Sequence, residues 1–404
     1  MASPSPTADI DLMNLTPFVD GSDIALFDRL REQNPVHWND EPGDGAGFWS
    51  LTRYADVKAA VSDAKRLSSA EGTQIVSRRA EGELHSLHNM DDPEHARLRK
   101  ITAPYLRSLR IKQWQHVIDE AVRIVLDDAQ EQGEFNMVEV VSARLPMLVL
   151  SQVLGVPAVD APKMVDWTNR LTSADPDARV DASLAAARAE VMAYFRMLTE
   201  ERRKEPKHDL VSVLVTAEKD GRPLTWEELA AYYILLVAAG NETTRHLISG
   251  ATVALHEHPD AWNRMVSDPA VLPTAVEEMF RYVSPVACMR RTATEDFTLH
   301  DTLIRKGDKV VLWFVAANRD PEVFRDPHRF IADRDPNEHL SFGWGIHYCL
   351  GAHLARAEVT TLFREIIRRG IRLEVTAEPT RLRHNLFRGI TDLPVRVRAG
   401  AVTG

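Results

Sequence analysis

The segment that most constrains this chain is 342–351, Phe-Gly-Trp-Gly-Ile-His-Tyr-Cys-Leu-Gly, which holds three glycines and one of only two cysteines. Glycines at this density indicate a backbone that takes unusual dihedral angles or lets a large group approach closely. A helical pattern follows, so Cys349 is predicted to lie at a helix N-terminus, where the dipole and free N–H groups favour a thiolate. Such a thiolate, with space for a flat cofactor, suits a haem iron. The alternative is that Cys349 is a small buried hydrophobic residue, as most free cysteines are.

The segment resembles the haem-binding loop of the cytochrome P-450 monooxygenases, Phe-Gly-x-Gly-x-His-x-Cys-x-Gly, and it matches that loop at every fixed position. The resemblance implies that the cofactor is haem b (iron protoporphyrin IX) and that Cys349 is the axial ligand of its iron. It also implies that four other fixed residues of the loop bind the cofactor: Phe342, Gly343, His347 and Gly351.

The family's fold is the expectation for this chain: mainly α with small β-sheets, with the haem between the long central helix and the helix that follows the Cys loop. No Pro/Gly/Ser-rich linker divides the middle of the 404 residues. We therefore expect residues 1–14 to form a flexible N-terminal arm and residues 15–404 to form a single cytochrome P-450 domain.

The composition excludes several other classes of protein. Hydrophobic residues make up 44% and charged residues 27% of the chain, as is ordinary for a globular protein with a large core. The formal net charge of −10 opposes a general affinity for nucleic acid or anionic membranes. Two cysteines cannot form a disulfide framework, and the longest apolar run is too short to span a bilayer. We expect a soluble cytoplasmic monomer with no nucleic-acid partner and no membrane span.

A second motif begins where Asp92 and Pro93 predict the start of a helix. His95 and Arg99 are four residues apart and so share a face of that helix. Taken alone, such a pair is a solvated helix surface. The resemblance implies instead that both side chains bind a haem propionate, since they match the family's His-x-x-x-Arg segment, and two donors on one face suit a carboxylate.

A capping box at Thr225 opens a helical pattern that runs to about Glu257 and is apolar all round at its centre, so the helix should be buried. Glu242 and Thr243 lie inside it, where polar groups are costly unless they have partners. In a structural interpretation, the Thr hydroxyl bonds back to a carbonyl one turn earlier and Glu242 pairs with a base. In the functional one, a break in the helix makes room for O2 and water; this matches the family's oxygen-activation motif, in which Glu242 and Thr243 relay protons.

Glu278 and Arg281 are three residues apart on a predicted helix and can pair on one face. They resemble the family's Glu-x-x-Arg pair, which lies under the haem loop and is completed by an arginine further along the chain. Arg329 fits that third position, and Arg319 competes with it.

The segment 286–296 contains two adjacent arginines that could serve the haem. In the family, an arginine ahead of x-Ala-Thr-x-Asp contacts a propionate; Arg291 is in that register and Arg290 is one residue off. Cys288 has no glycine-rich surroundings, and we interpret it as pocket wall or core. The pairs His85/His88 and His256/His258 could bind a metal, but surface histidines are their ordinary interpretation.

The resemblance also locates the substrate pocket. We expect it to be lined by Ile75, Val76, Ala239, Val286, Ala287 and Ile390. Because these residues are apolar, the predicted substrate is an uncharged hydrophobic molecule of the terpenoid, steroid or fatty-acyl type. Arg388 lies near the pocket in sequence and could instead select a carboxylate.

The function implied is a haem-thiolate monooxygenase that hydroxylates such a molecule with O2 and with electrons from NAD(P)H, delivered by a ferredoxin and its ferredoxin reductase. A basic patch could dock the ferredoxin, although scattered solvated charge is an equal interpretation; its members are Lys100, Arg107, Arg110, Lys112 and Arg356. Two alternatives are a peroxygenase of the same fold that uses hydrogen peroxide, and a non-catalytic haem sensor or carrier.

Overall fold

A computed structural model of the chain describes residue 7 and residues 9–43, 45–76, 85–172 and 182–399. The fold is mainly α with small β-sheets, as expected. The α-helices of the described residues are α1 Thr16–Asp20, α2 Asp23–Gln33, α3 Tyr54–Ser62, α4 Glu94–Thr102, α5 Ser108–Ile111, α6 Gln115–Gln132, α7 Arg144–Leu154, α8 Ala161–Thr172, α9 Ala182–Lys204, α10 Leu210–Thr216, α11 Trp226–Glu257, α12 Pro259–Ser267, α13 Leu272–Val283, α14 Phe314–Ala317 and α15 Ala352–Arg368. Shorter turns include a π-helical turn at Val138–Ser142 and 3₁₀ turns at Leu87–Asn89 and Gly345–His347.

The strands form one five-stranded sheet and several smaller ones. They are β1 Val36–Asn39, β2 Phe48–Leu51, β3 Leu67–Ser68, β4 Glu134–Asn136, β5 Glu218–Lys219, β6 Arg222–Pro223, β7 Cys288–Ala293, β8 Phe297–Leu299, β9 Thr302–Ile304, β10 Lys309–Trp313, β11 Ile371–Val375, β12 Thr380–Arg381, β13 Ile390–Asp392 and β14 Pro394–Ala399. The largest sheet has the order β1-β2-β10-β7-β3, with β10 parallel to β2 and its other pairs antiparallel. β1 and β2 form an antiparallel hairpin.

The 32-residue helix α11 crosses the centre of the fold and packs against α7, α8, α9 and α13. It begins at a capping box, in which Thr225 Oγ1 accepts from the N–H of Glu228 and Glu228 Oε2 accepts from the N–H of Thr225. Its apolar side chains are fully buried at Leu229, Tyr233 and Leu247, each a gain of about 1.5–3 kcal/mol. None of the helices in the described ranges is both long and apolar enough to cross a bilayer.

The expected flexible arm over residues 1–14 is only partly covered, because residues 1–6 and 8 lie outside the described ranges. Within them, the expectation is wrong: Ile10 is 6% and Leu12 1% exposed. Both belong to a cluster with Phe27 and Trp313, so their burial fixes this part of the chain on the core. Residues 400–404 also lie outside the described part.

Candidate haem site

The Cys loop is shaped by its glycines. Gly343 and Gly345 both have φ +67°, in the left-handed region that glycine adopts without strain. Gly345 also lies against α3, where an added Cβ would be 3.2 Å from the carbonyl oxygen of Val61. The loop closes when the N–H of Cys349 donates to the carbonyl of Phe342 at 2.8 Å, and α15 begins three residues later. The sequence therefore holds Cys349 at the start of a helix, as predicted.

The loop by itself does not hold a thiolate. Burial raises the pKa of the Cys349 thiol, and the N–H of Gly351 and the guanidinium groups of Arg99 and Arg356 offset this effect only in part. The N–H of Gly351 therefore favours the thiolate, as expected, but desolvation is the larger effect. A metal cation bound to the sulfur would supply the missing positive charge.

Cys349 faces an enclosed space. Its side chain is accessible, although protein surrounds it closely enough to raise the pKa of the thiol. Ala239 is likewise exposed at the middle of the central helix, while Val237 and Asn241 on either side of it are fully buried. Because α11 packs against α15, these accessible surfaces fit a space between the central helix and the Cys loop.

A group of basic side chains converges beside this space. Burial, followed by the charges of Arg291, His95, Arg99 and His88, lowers the pKa of His347 to about 3. Burial lowers the pKa of Arg291 to about 10, and Arg291 makes no ion pair with any described carboxylate. A buried cation without an anion is costly, so the arrangement fits an anionic ligand such as the two haem propionates.

The contacts inside this basic cluster, defined as His88, His95, Arg99, Arg291 and His347, support the same fit. The rings of His95 and His347 have centroids 4.4 Å apart, and His95 Nε2 is buried with no hydrogen bond to a described residue. Arg99 donates to the carbonyl of Tyr348 at 2.5 Å. Asp92 lies 3.4 Å from His95 Nδ1 at the exposed edge of the cluster.

His88 was missed as a site residue. It lies on the 3₁₀ turn Leu87–Asn89, and Ser86 Oγ is 2.6 Å from its Nδ1. Its side chain is exposed, yet desolvation by the surrounding protein and the charge of Arg291 lower its pKa to about 4, which places it in the basic cluster. No motif in the sequence marks it, because its closeness to Arg291 depends on two segments about 200 residues apart.

The two adjacent arginines of β7 point to opposite faces, as successive strand residues do. Arg291 joins the basic cluster, whereas Arg290 donates to the carbonyl of Glu71 at 2.9 Å and to Thr292 Oγ1 at 3.1 Å. Arg290 therefore holds the segment that leads to the pocket residue Ile75. Of the two, only Arg291 lies near His88 and His347.

The Glu278–Arg281 pair is fully buried, as the resemblance implied, but neither expected arginine completes it. Arg334 does: its Nε lies 3.0 and 3.1 Å from the carboxylate oxygens of Glu278. Arg329 contributes only its backbone carbonyl, and its side chain pairs on the surface with Asp260.

The competing Arg319 turns away from this network and donates to the carbonyl of Tyr282 at 2.6 Å. Glu278 also accepts from the N–H of Ile331 and from Asn337. The Glu278 carboxylate thus connects α13 to the segment just before the Cys loop through buried ion pairs and hydrogen bonds.

On α11, the expected break in the helix is not seen, because the helix runs uninterrupted from Trp226 to Glu257. Thr243 Oγ1 donates to the carbonyl of Ala239 at 3.2 Å, as in the structural interpretation. Glu242 is 3% exposed and lies 2.7 Å from His246 Nε2 and 3.4 Å from an amino group of Arg245. Glu242 thus has basic neighbours, also as in that interpretation, while Ala239, one turn before Thr243, faces the enclosed space.

The predicted pocket residues come from several elements. Ile75 and Ala287 lie in one hydrophobic cluster, and Ile390 is 3% exposed, while Val76 and Val286 are partly exposed and Ala239 is exposed. A β-bridge joins Val286 to Phe387, and the N–H of Ala287 donates to the carbonyl of Leu386 at 2.7 Å. These bonds bring the segments before β7 and before β13 together.

Two residues near the pocket are accounted for by other contacts. Arg388 pairs with the buried Asp23, with Nε to Oδ2 at 3.0 Å, and donates to the carbonyl of Val283. Its charge is thereby neutralised inside the protein, which argues against its selecting a substrate carboxylate.

Cys288 is fully buried, burial raises the pKa of its thiol, and its Sγ lies 3.6 Å from the carbonyl of Asn385. It is core, as interpreted.

A cysteine in a glycine-shaped loop before a helix, facing an enclosed space rimmed by basic side chains, defines a haem-thiolate protein. The comparisons agree with this class. The Cytochrome P450 family model matches residues 45–383, and the chain belongs to that family. Members bind haem through a cysteine thiolate, and the residues described above fit that group.

The relatives are similar over nearly their whole length. The chain is 37% identical to a methyl-branched lipid omega-hydroxylase of Mycobacterium bovis, covering 96% of this chain and 95% of that one. It is 34% identical to a steroid C26-monooxygenase of Mycolicibacterium smegmatis, covering 96% and 94%. The crystal structure of a cytochrome P450 from Novosphingobium aromaticivorans, CYP108D1, superposes with a TM-score of 0.89 at 32% identity, covering 98% and 99%. The protein is an oxidoreductase of the monooxygenase type.

Proposed function

We propose that this cytochrome P450 hydroxylates an uncharged, chain-like hydrophobic molecule, such as a steroid side chain, a methyl-branched lipid or a terpenoid. The observation that carries the proposal is the apolar character of the described residues expected to line the pocket, beside which Arg388 is already paired with Asp23. The names of two relatives, which act on a steroid and on a methyl-branched lipid, support the same substrate class. The overall reaction consumes the substrate C–H bond, O2, two electrons and two protons, and yields an alcohol and water.

The residues then have distinct tasks. Cys349 would hold the iron. Arg99 and Arg291 would neutralise the propionates, and His95 and His347, whose pKa values are lowered, would bind them by hydrogen bonds. Haem, once bound, supplies the activation of O2. The apolar pocket orients the substrate and excludes water. Glu242 and Thr243 hold the protons that the reduction of O2 requires, with the Thr243 hydroxyl kept in place by the Ala239 carbonyl.

We further propose that electrons come from NAD(P)H through a ferredoxin and its reductase. Lys100, Arg107 and Lys112 are exposed and make no ion pair with any residue in the described ranges, and Arg110 contacts only Gln113. Because α5 packs on α15, this group lies on the side of the Cys349 helix. A basic surface there suits an acidic electron donor and would speed its association.

Arg356 does not belong to that surface. It pairs with Glu277 through Nε at 2.7 Å, donates to the hydroxyl of Tyr348 at 3.0 Å, and stacks on the ring of Phe342 at 4.3 Å. The expected docking patch is therefore reduced to Lys100, Arg107, Arg110 and Lys112. We place the enzyme in the cytoplasm, where NAD(P)H is available and both cysteines stay reduced.

The haem-thiolate assignment is tested with carbon monoxide. The reduced wild-type protein should give the strongly red-shifted Soret band of a thiolate-bound iron, and Cys349→Ala should lack it. Cys288→Ala, the variant of the other cysteine, should keep it. A red-shifted band in Cys349→Ala would refute the assignment.

The substrate class is tested by the type I spectral shift and by product analysis. The panel contains a steroid with an intact side chain, a methyl-branched fatty acid and its methyl ester, and a terpenoid ketone. We expect the ester to bind at least as tightly as the acid, because Arg388 is neutralised by Asp23. A clear preference for the free acid would contradict the uncharged substrate class.

The electron donor is tested by reversing one charge. Lys112→Glu should raise the KM for ferredoxin, and should weaken its dependence on salt, without changing the type I shift. Arg325→Glu is the matched control, because Arg325 is 86% exposed and lies outside the patch. Equal effects of the two variants would refute the docking surface, and turnover with hydrogen peroxide alone at the same rate would favour a peroxygenase.

A further inference from the structure

One histidine of the central helix is tied to the proton-holding carboxylate but belongs to no recognised motif. His246 follows Glu242 by four residues on α11, and its ring is fully buried. Its Nε2 lies 2.7 Å from Oε1 of Glu242. The approach is too bent for a good hydrogen bond, and Nδ1 has no hydrogen-bond partner among the described residues. The ring therefore touches the carboxylate at close range, where it restricts the positions that the carboxylate can take.

The other side of this ring is pressed by the backbone of the pocket wall. A Cβ built on Gly389 would lie 2.4 Å from Cε1 and 2.6 Å from Nε2 of His246, so a larger residue there would displace the ring. The ring of Phe387 lies 6.2 Å away, centroid to centroid. Gly389 is next to the pocket residue Ile390. The imidazole is thus held between the carboxylate of Glu242 and the segment 386–390.

The second basic neighbour of Glu242 is anchored elsewhere. An amino group of Arg245 lies 3.4 Å from Oε2 of Glu242 and donates to Oδ1 of Asn169 at 2.8 Å. Asn169 belongs to α8, a helix that packs on α11. One oxygen of the carboxylate therefore lies beside an arginine that is anchored on α8, and the other lies beside His246, which contacts the pocket wall.

We propose that His246 is a positioning residue for Glu242, which links the orientation of this carboxylate to the pocket segment 386–390. A substrate that presses on the segment would then move the ring and align the carboxylate that delivers protons. This inference rests on the proposed function, in which Glu242 holds a proton for the reduction of O2. Electrons come from the donor, and one oxygen atom leaves as water with two protons, so misplacing the carboxylate slows only the steps that consume protons.

The test compares two oxidants with one small probe, thioanisole, which can reach the iron whatever the natural substrate is. Driven by ferredoxin and its reductase, sulfoxide formation needs two electrons and two protons. Driven by iodosylbenzene, which transfers its oxygen atom and leaves as iodobenzene, it needs neither. In the holoenzyme, His246→Leu should lower the ferredoxin-driven rate about tenfold, the size expected for a residue that orients a catalytic group. The iodosylbenzene-driven rate should change less than twofold.

Three further single variants and one double variant test the inference further. His246→Gln, which keeps an N–H donor, should recover part of the ferredoxin-driven rate. Gly389→Ala should push the ring away from Glu242 and reproduce the defect of His246→Leu, and the double variant should be no worse than either single one. Ser249→Ala is the matched control, because Ser249 is equally buried on the same helix and has no hydrogen-bond partner among the described residues. It should leave both rates unchanged.

An equal loss with both oxidants would show that His246 only supports the fold, and no loss with either would show that it does nothing; both outcomes overturn the inference. Failure of the proposed function looks different. A wild-type protein that oxidises thioanisole with iodosylbenzene but not with ferredoxin would refute the electron supply and, with it, the role of His246. The carbon monoxide spectrum of each variant confirms that haem is bound.

Discussion

The completion of the Glu278–Arg281 pair by Arg334 predicts a large difference between two arginines that are five residues apart. Arg334 is 6% exposed and contacts both oxygens of the fully buried Glu278, whereas Arg329 and its partner Asp260 are each 63% exposed. Removing one member of a buried ion pair costs about 3–5 kcal/mol. Arg281 still pairs with Glu278 in Arg334→Ala, so we expect a cost at the lower end of that range. An exposed pair contributes about 0–1 kcal/mol.

Arg334→Ala should therefore lower the melting temperature of the holoenzyme by roughly 5–10 °C, while Arg329→Ala should lower it by no more than about 2 °C. Arg334→Lys should fall between them, because it keeps the charge but loses the planar fork that contacts both oxygens. The assay is thermal unfolding followed by circular dichroism at one fixed scan rate, with the loss of haem absorbance followed in parallel. An Arg329→Ala variant as unstable as Arg334→Ala would refute the assignment of the third arginine.

Two further predictions concern the haem and the pH dependence of stability. Arg291→Met should speed the transfer of haem to apomyoglobin roughly ten- to hundredfold, because a charge-assisted hydrogen bond is lost. Arg290→Met, on the opposite face of β7, should change this rate little. Equal effects of the two variants would contradict the basic cluster. Burial alone would raise the pKa of Glu277, but hydrogen bonds from His339 and Arg356 lower it to about 2 from an ordinary value of 4.5. Its folded pKa is depressed, so its contribution to stability is present above about pH 4.5 and is lost as the pH falls towards 2. Glu277→Gln should weaken the dependence of the urea unfolding midpoint on pH over that window. An unchanged dependence would contradict the pairing of Glu277 with His339 and Arg356.

Much of the fold and the family could be predicted from the sequence, because the features that carry them are local. The capping box at Thr225 and the glycines at 343 and 345 depend on neighbours within a few residues, and the structure shows them in the predicted conformations. The helix face shared by Glu278 and Arg281 is equally local. The identity of the third arginine could not be predicted, because three candidates lie in an irregular segment with no periodic pattern to separate them.

The ionisation of Cys349 shows a second limit. Its place at a helix start was readable in the sequence. The direction of its pKa shift depends on how deeply the whole chain buries it, because burial outweighs the N–H of Gly351 and the two nearby guanidinium groups. The same holds for residues 10–12, whose polar surroundings in sequence indicated a loose arm. Ile10 and Leu12 are buried only because Phe27 and Trp313 meet there in the folded chain.

By itself, the sequence determined that this chain presents a cysteine at the start of a helix in a glycine-rich loop, and that a long apolar helix carries Glu242 and Thr243. Only the tertiary structure decided which side chains meet. The ion pair of Arg388 with Asp23, the closeness of His88 to Arg291 and the contact of His246 with Gly389 each join segments more than 100 residues apart. Such contacts form when distant segments bury their surfaces together, and a charge in that interior is stable only where the fold happens to bring it a partner.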